Sequence, residues 1–87
     1  MAWERPYNTY QVLEALADSD QDRMTVNELS DVLDMSIQQV CRAVNNLFRY
    51  HWLYRKRIHC NHHAKGWVYG YRINFRGKEY LDYKRGL

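Results

Sequence analysis

Two helix-start signals eleven residues apart constrain this chain more than anything else in it. Thr25-Val26-Asn27-Glu28 and Ser36-Ile37-Gln38-Gln39 each place a hydroxyl residue three positions before a side chain that ends in a carboxylate or carboxamide. In such a capping box the hydroxyl accepts the N–H of the third helical residue, and that residue's side chain accepts the N–H of the cap. Two starts so close allow only a short first helix. Asp34 and Met35 then leave room for one sharp turn before the second helix. Residues 25–52 therefore read as helix, turn, helix.

Helical geometry sorts the second helix, residues 36–50, into two faces. At 100° per residue Ile37, Val40, Ala43, Val44, Leu47 and Phe48 fall on one broad apolar side. Gln38, Gln39, Arg42, Asn45, Asn46 and Arg49 fill the other. An ordinary solvated face mixes both signs of charge. This one has no Asp, Glu or Lys, and its amide and guanidinium groups match the donor and acceptor pairs of base edges in a major groove. The pattern points to a nucleic-acid reader.

Charge supports that reading. The net charge of +3 conceals an asymmetry: residues 1–40 hold two Arg against eight Asp and Glu, and residues 41–87 hold eleven Lys and Arg against two acids. A basic half that begins inside the second helix is the footprint expected of a phosphate-backbone binder. The length of 87 residues fits one domain with a modest core, in which eight Tyr, three Trp and two Phe carry much of the packing. No run of about 18 apolar residues is present, and the opening Met-Ala-Trp-Glu-Arg-Pro lacks the order of a secretory signal, so a cytoplasmic chain without a membrane role is expected. Cys41 and Cys60 lie in different elements and are expected to be reduced thiols.

Taken in order, the opening residues read as an irregular arm, with Pro6 suited to a first helical turn. Tyr10, Val12, Leu13, Leu16 and Ala17 have helical spacing, so a helix over about 7–17 packs behind the helix-turn-helix. Asp18 to Asp22 form an acidic loop that lacks the glycine and distal glutamate of a calcium loop, and Arg23-Met24 can add a short strand. Beyond Trp52 the period changes to alternation. Residues 54–60 and 67–74 read as a β-hairpin, with Arg55, Arg57 and His59 on one face and Trp67, Tyr69, Tyr71 and Ile73 alternating on the second strand. His62, His63 and Lys65 occupy its tip, placed to approach phosphates or a minor groove. Asn74 can cap a last helix over 75–85, in which Phe75, Tyr80 and Leu81 cover the sheet or a partner, and Gly77 suggests a close helix approach.

This order resembles the winged helix-turn-helix superfamily, in particular small MarR-like and PadR-like regulators of bacteria, archaea and phages. Three stretches carry the resemblance: VNELSDVLDMSIQQVCRAVNNL, FRYHWLYRKR and YRINFRGKEYL. The last is similar to the family's Leu-Thr-x-x-Gly-x-x-x-Leu pattern, with Ile73 and Asn74 in place of Leu-Thr. Where the family usually has glycine after the recognition helix, this chain has His51-Trp52. The resemblance implies an α+β fold of three helices, a β-hairpin wing and a short C-terminal helix. It implies a sequence-specific transcription regulator of double-stranded DNA, commonly a homodimer whose recognition helices enter successive major grooves about 34 Å apart. By position, Gln38, Gln39, Arg42, Asn45 and Asn46 look like base readers, and Ser36, Arg49, Arg55, Arg57, Lys65 and Arg72 like backbone contacts. The last helix offers only about ten residues, fewer than the long terminal helices through which many MarR-like proteins dimerise.

Other readings are weaker. Cys60, His62 and His63, with His59 beside them, offer zinc a mixed sulfur and nitrogen set, but no fourth ligand is evident and neighbours on a strand point opposite ways. A polar wing tip without a metal is favoured, and no cofactor or small-molecule effector is expected. There is no phosphate-binding Gly-rich loop or nucleophile elbow, which argues against an enzyme. The principal alternative is a winged-helix interaction module that docks a nucleic-acid-processing protein partner. Trp67, Tyr69 and Tyr71 can stack on single-stranded bases, but core packing is the simpler role. Cys41, at the edge of the apolar face, is read as inert packing rather than an oxidant sensor.

Overall fold

A computed structural model describes residues 7–86, and the arm expected over residues 1–6, with Pro6, lies outside them. The elements run α1 (Tyr7–Asp18), α2 (Val26–Leu33), α3 (Ile37–Arg49), β1 (Leu53–His59), β2 (Trp67–Ile73) and α4 (Phe75–Arg85). Both capping boxes form. Thr25 Oγ1 accepts the Glu28 N–H at 3.2 Å while Glu28 Oε1 accepts the Thr25 N–H at 2.8 Å. Ser36 and Gln39 repeat the exchange at 3.1 and 3.0 Å. Between the two helices Asp34 takes a left-handed conformation, φ 53°, which turns the chain within the few residues available.

The core lies where α1, α2 and α3 meet. Val12, Leu13 and Leu16 of α1 are buried with Leu29 of α2 and with Val40, Ala43, Val44 and Leu47 of α3. Leu53, Tyr71 and Leu81 extend this core to the base of the hairpin and to α4. Two expectations are corrected. Ile37 is 53% exposed, because the first residue of α3 precedes the turn that packs on the other helices. Phe75 is 67% exposed: it lies roughly 200° and 240° around α4 from the buried Gly77 and Leu81, so it faces away from the body.

The strands pair antiparallel from Leu53↔Ile73 to His59↔Trp67; the first lies one residue earlier than the alternation alone suggests, and the second starts at Trp67 as expected and ends one residue sooner. The expected strand at Arg23-Met24 reduces to a single bridge. Met24 exchanges two backbone hydrogen bonds with Tyr71, at 3.0 and 2.8 Å, and thereby ties the hairpin to the start of α2.

The end of α3 closes without a glycine. Here the Trp52 N–H reaches the Leu47 carbonyl at 3.1 Å and the His51 N–H reaches that of Phe48 at 3.0 Å, with His51 left-handed at φ 65°. That is a Schellman motif, in which glycine normally takes the left-handed position. The same junction receives the far end of the hairpin. Asn74 donates from its backbone to the Trp52 carbonyl at 3.0 Å and from its side chain to the His51 carbonyl at 2.7 Å, while its Oδ1 caps α4 through the Gly77 N–H at 3.0 Å. Trp52 and Tyr80 stack with ring centroids 4.4 Å apart. At the other end of α4 Arg85 pairs with Glu14 and Asp18 of α1, each at 3.2 Å.

Gly77 is required by this junction. A Cβ there would lie 2.8 Å from the Trp52 carbonyl oxygen and 3.2 Å from Leu13 Cδ1. Gly77→Ala is expected to lower the unfolding free energy by about 1–3 kcal/mol, as overpacking against backbone does. His51→Gly is expected to raise it by about 1 kcal/mol, since only the left-handed strain is relieved. Urea unfolding of both variants measures the two effects.

Candidate nucleic-acid interface

The polar side of α3 is presented as a surface. Gln38, Arg42, Asn45 and Arg49 are exposed and, at 100° per residue, lie within about 40° of Gln38 on one stripe. Gln39 and the half-buried Asn46 flank it. One of these residues is already committed, because the Gln39 carboxamide oxygen accepts the Ser36 N–H. Gln39 therefore keeps its two amide donors for an incoming ligand, with one lone pair of its oxygen already taken by the cap. Ser36, whose oxygen accepts the Gln39 N–H, keeps its hydroxyl proton to donate outward.

The wing brings a second group of cations to the surface. Arg55, Lys56, Arg57, Lys65 and Arg72 are all exposed. The register divides them: Arg55 and Arg57 share a face with Trp67, Tyr69 and Tyr71, while Lys56 and Arg72 lie on the reverse. Arg57 lies over the Trp67 ring at 4.4 Å with the Lys65 ammonium 5.6 Å from the same centroid. Arg55 lies over Phe48 and Tyr69. Arg72 is engaged elsewhere, over Tyr54 and within 3.4 Å of Asp22, an exposed pair of small energetic weight.

The tip, residues 60–66, is a folded turn. The Cys60 N–H reaches the Gly66 carbonyl at 3.0 Å, and Gly66 closes the loop at φ 80°. His62, His63 and Lys65 are exposed there, as the sequence suggested. His63 Nδ1 accepts the Lys65 N–H at 3.2 Å, and His59 Nε2 lies 2.6 Å from Asn61 Oδ1. Among the described residues Cys60, His62 and His63 do not gather into a metal-ligating cluster. Trp67, Tyr69 and Tyr71 form an edge-to-face ladder, with neighbouring centroids 4.9 and 6.2 Å apart. They pack on one another and under arginines rather than standing free.

Sequence reasoning missed a cavity of about 300 Å³ beneath the wing. Val26, Ile37, Cys41, Trp67, Tyr69 and Tyr71 line it, together with Thr25, Asn27, His63 and Lys65. Within this lining Cys41 is half-buried.

An α2-turn-α3 unit followed by an antiparallel hairpin and a closing helix is a winged helix-turn-helix, and solved structures share it. A MarR family transcription regulator superimposes with a TM-score of 0.71 at 21% identity, over 94% of this chain and 50% of that one. A PadR family transcription regulator from Clostridium difficile gives 0.74 at 12% identity, over 93% and 85%. Staphylococcus aureus MepR in a DNA complex gives 0.71 at 17% identity, over 93% and 62%. This chain thus spans about half the length of the first of these and under two thirds of MepR. No family model and no curated protein matches the sequence. Among the described residues no helix is long and apolar enough to cross a membrane.

Burial pushes the Tyr71 hydroxyl above its ordinary value of 10.0, with the neighbouring Arg55 guanidinium opposing the shift. A proton held more tightly in the folded state contributes stability below pH 10 that is lost as pH rises through the folded-state value. Tyr71→Phe is therefore expected to flatten the loss of stability above about pH 10. Denaturation at pH 8 and pH 11 measures the difference.

Proposed function

We propose that this protein is a sequence-specific, double-stranded DNA-binding transcription regulator, with α3 in the major groove and the wing on the backbone or minor groove. The observation that carries the reading is the exposed stripe of Gln38, Arg42, Asn45 and Arg49, free of carboxylates, on the second helix of a helix-turn-helix. Arg42 and Asn45 pair naturally with guanine and adenine edges, with Gln38 and Asn46 beside them. Ser36, Arg49, Arg57 and Lys65 contact phosphates. His62 and His63 approach the groove at the wing tip. The likeness of fold to MepR, which has been solved as a DNA complex, supports the same reading.

Two copies on a two-fold axis fit a palindrome with recognition helices about 34 Å apart, and selection from random duplexes is expected to return such a site. A lone half-site would indicate a monomer.

Two measurements test the function. Fluorescence anisotropy against random duplex DNA is expected to give affinity that falls steeply with salt, with a log-log slope of about −3 per protomer for the three phosphates neutralised by Arg49, Arg57 and Lys65. Arg42→Ala combined with Asn45→Ala is expected to cost about 10²-fold or more in affinity for the selected site, with a much smaller loss on random DNA. Absence of binding even at low salt would reject the DNA reading in favour of a protein partner.

A further inference from the structure

A two-stranded ribbon is marginally stable alone. Outward of the Met24–Tyr71 bridge, Trp67 and Tyr69 of this one border the cavity, and Tyr69 also packs against the edge of the core. Arg55 spans that region. Its guanidinium carbon lies 4.0 Å from the centroid of Phe48, in the last turn of α3, and 4.2 Å from that of Tyr69, on β2. It is also close enough to Tyr71 to hold down that residue's hydroxyl. One cation thus joins a ring of the recognition helix to a ring of the wing.

We propose that Arg55 is a positioning residue that sets the angle between wing and recognition helix through Phe48 and Tyr69. It is not one of the phosphate contacts, the role its place in the sequence suggested. The consequence for affinity rests on the DNA-binding reading above; the mechanical role does not. A planar, weakly hydrated guanidinium stacks on rings in a way a hydrated ammonium does not, so charge and clamp are separable by substitution.

Arg55→Lys keeps the charge and removes the stacking, Arg55→Gln removes both, and Phe48→Leu removes one ring while leaving every charge in place. Amide hydrogen exchange in the free protein and DNA affinity over a range of salt are then measured for each. The expected result is faster exchange over residues 57–67 in all three variants with little change in melting temperature, about tenfold weaker DNA binding, and an unchanged salt slope. Phe48→Tyr, which restores the ring, is expected to match the parent protein. The proposal is overturned if Phe48→Leu leaves wing exchange unaltered, or if Arg55→Lys binds like the parent while Arg55→Gln reduces the slope by about 0.9, the signature of one phosphate contact. Should Phe48→Leu fail to fold, the exposed Arg55 variants carry the same test. If the parent protein binds no DNA, the functional reading falls, and the exchange data alone decide the clamp.

Discussion

The reversal at His51-Trp52 organises the molecule. Within two residues α3 ends, its last carbonyls are satisfied by the Schellman pair, and the chain is launched into β1. The same two residues receive the other end of the hairpin through Asn74, and the backbone of α4 approaches so closely at Gly77 that no side chain fits. The base of the wing is therefore defined by backbone hydrogen bonds and one aromatic stack. Helix direction, hairpin origin and closing helix are fixed at one point, and the core behind α3 can remain small.

The tip end of the wing is held differently. There, among the described residues, the contacts are arginines over rings, the Met24–Tyr71 bridge and the long Arg23–Gly70 and Arg72–Asp22 contacts, with open volume beneath. Cation–ring contacts at exposed sites are worth only about 0.5–1 kcal/mol each. The base is thus held by hydrogen bonds to backbone groups and the tip by weaker contacts between side chains.

Features that depend on neighbours in the chain were legible in the sequence. The capping boxes, the apolar stripe Val40-Ala43-Val44-Leu47 and the Asn74 cap are decided within a few residues, and each is found in the structure; a glycine inside the last helix signals a close approach at Gly77, but only the fold shows that Trp52 and Leu13 make it. The fold class followed from their order. Features that depend on distant partners were not legible. Ile37 has the right angular position for the core but precedes the packed turn, and Phe75 has the right chemistry on the wrong side of its helix. Arg55 and Arg72 look alike in a list of cations; only folding reveals that one bridges α3 and the wing while the other reaches Asp22, fifty residues away. Gln39 shows how one side chain can fit two local patterns at once: it lies beside the polar stripe of α3, yet its carboxamide oxygen is bound to the cap.

The closed turn over residues 60–66 also bears on the ladder below it. Side chains alternate with a period of two, so the Cys60–Gly66 hydrogen bond just beyond the His59↔Trp67 pair helps fix which of them face α3. A slip of one residue there would carry Arg55 and Arg57 to the opposite face from Tyr69 and Trp67 and dissolve both cation–ring contacts. The length of an exposed loop thus governs packing some distance below it.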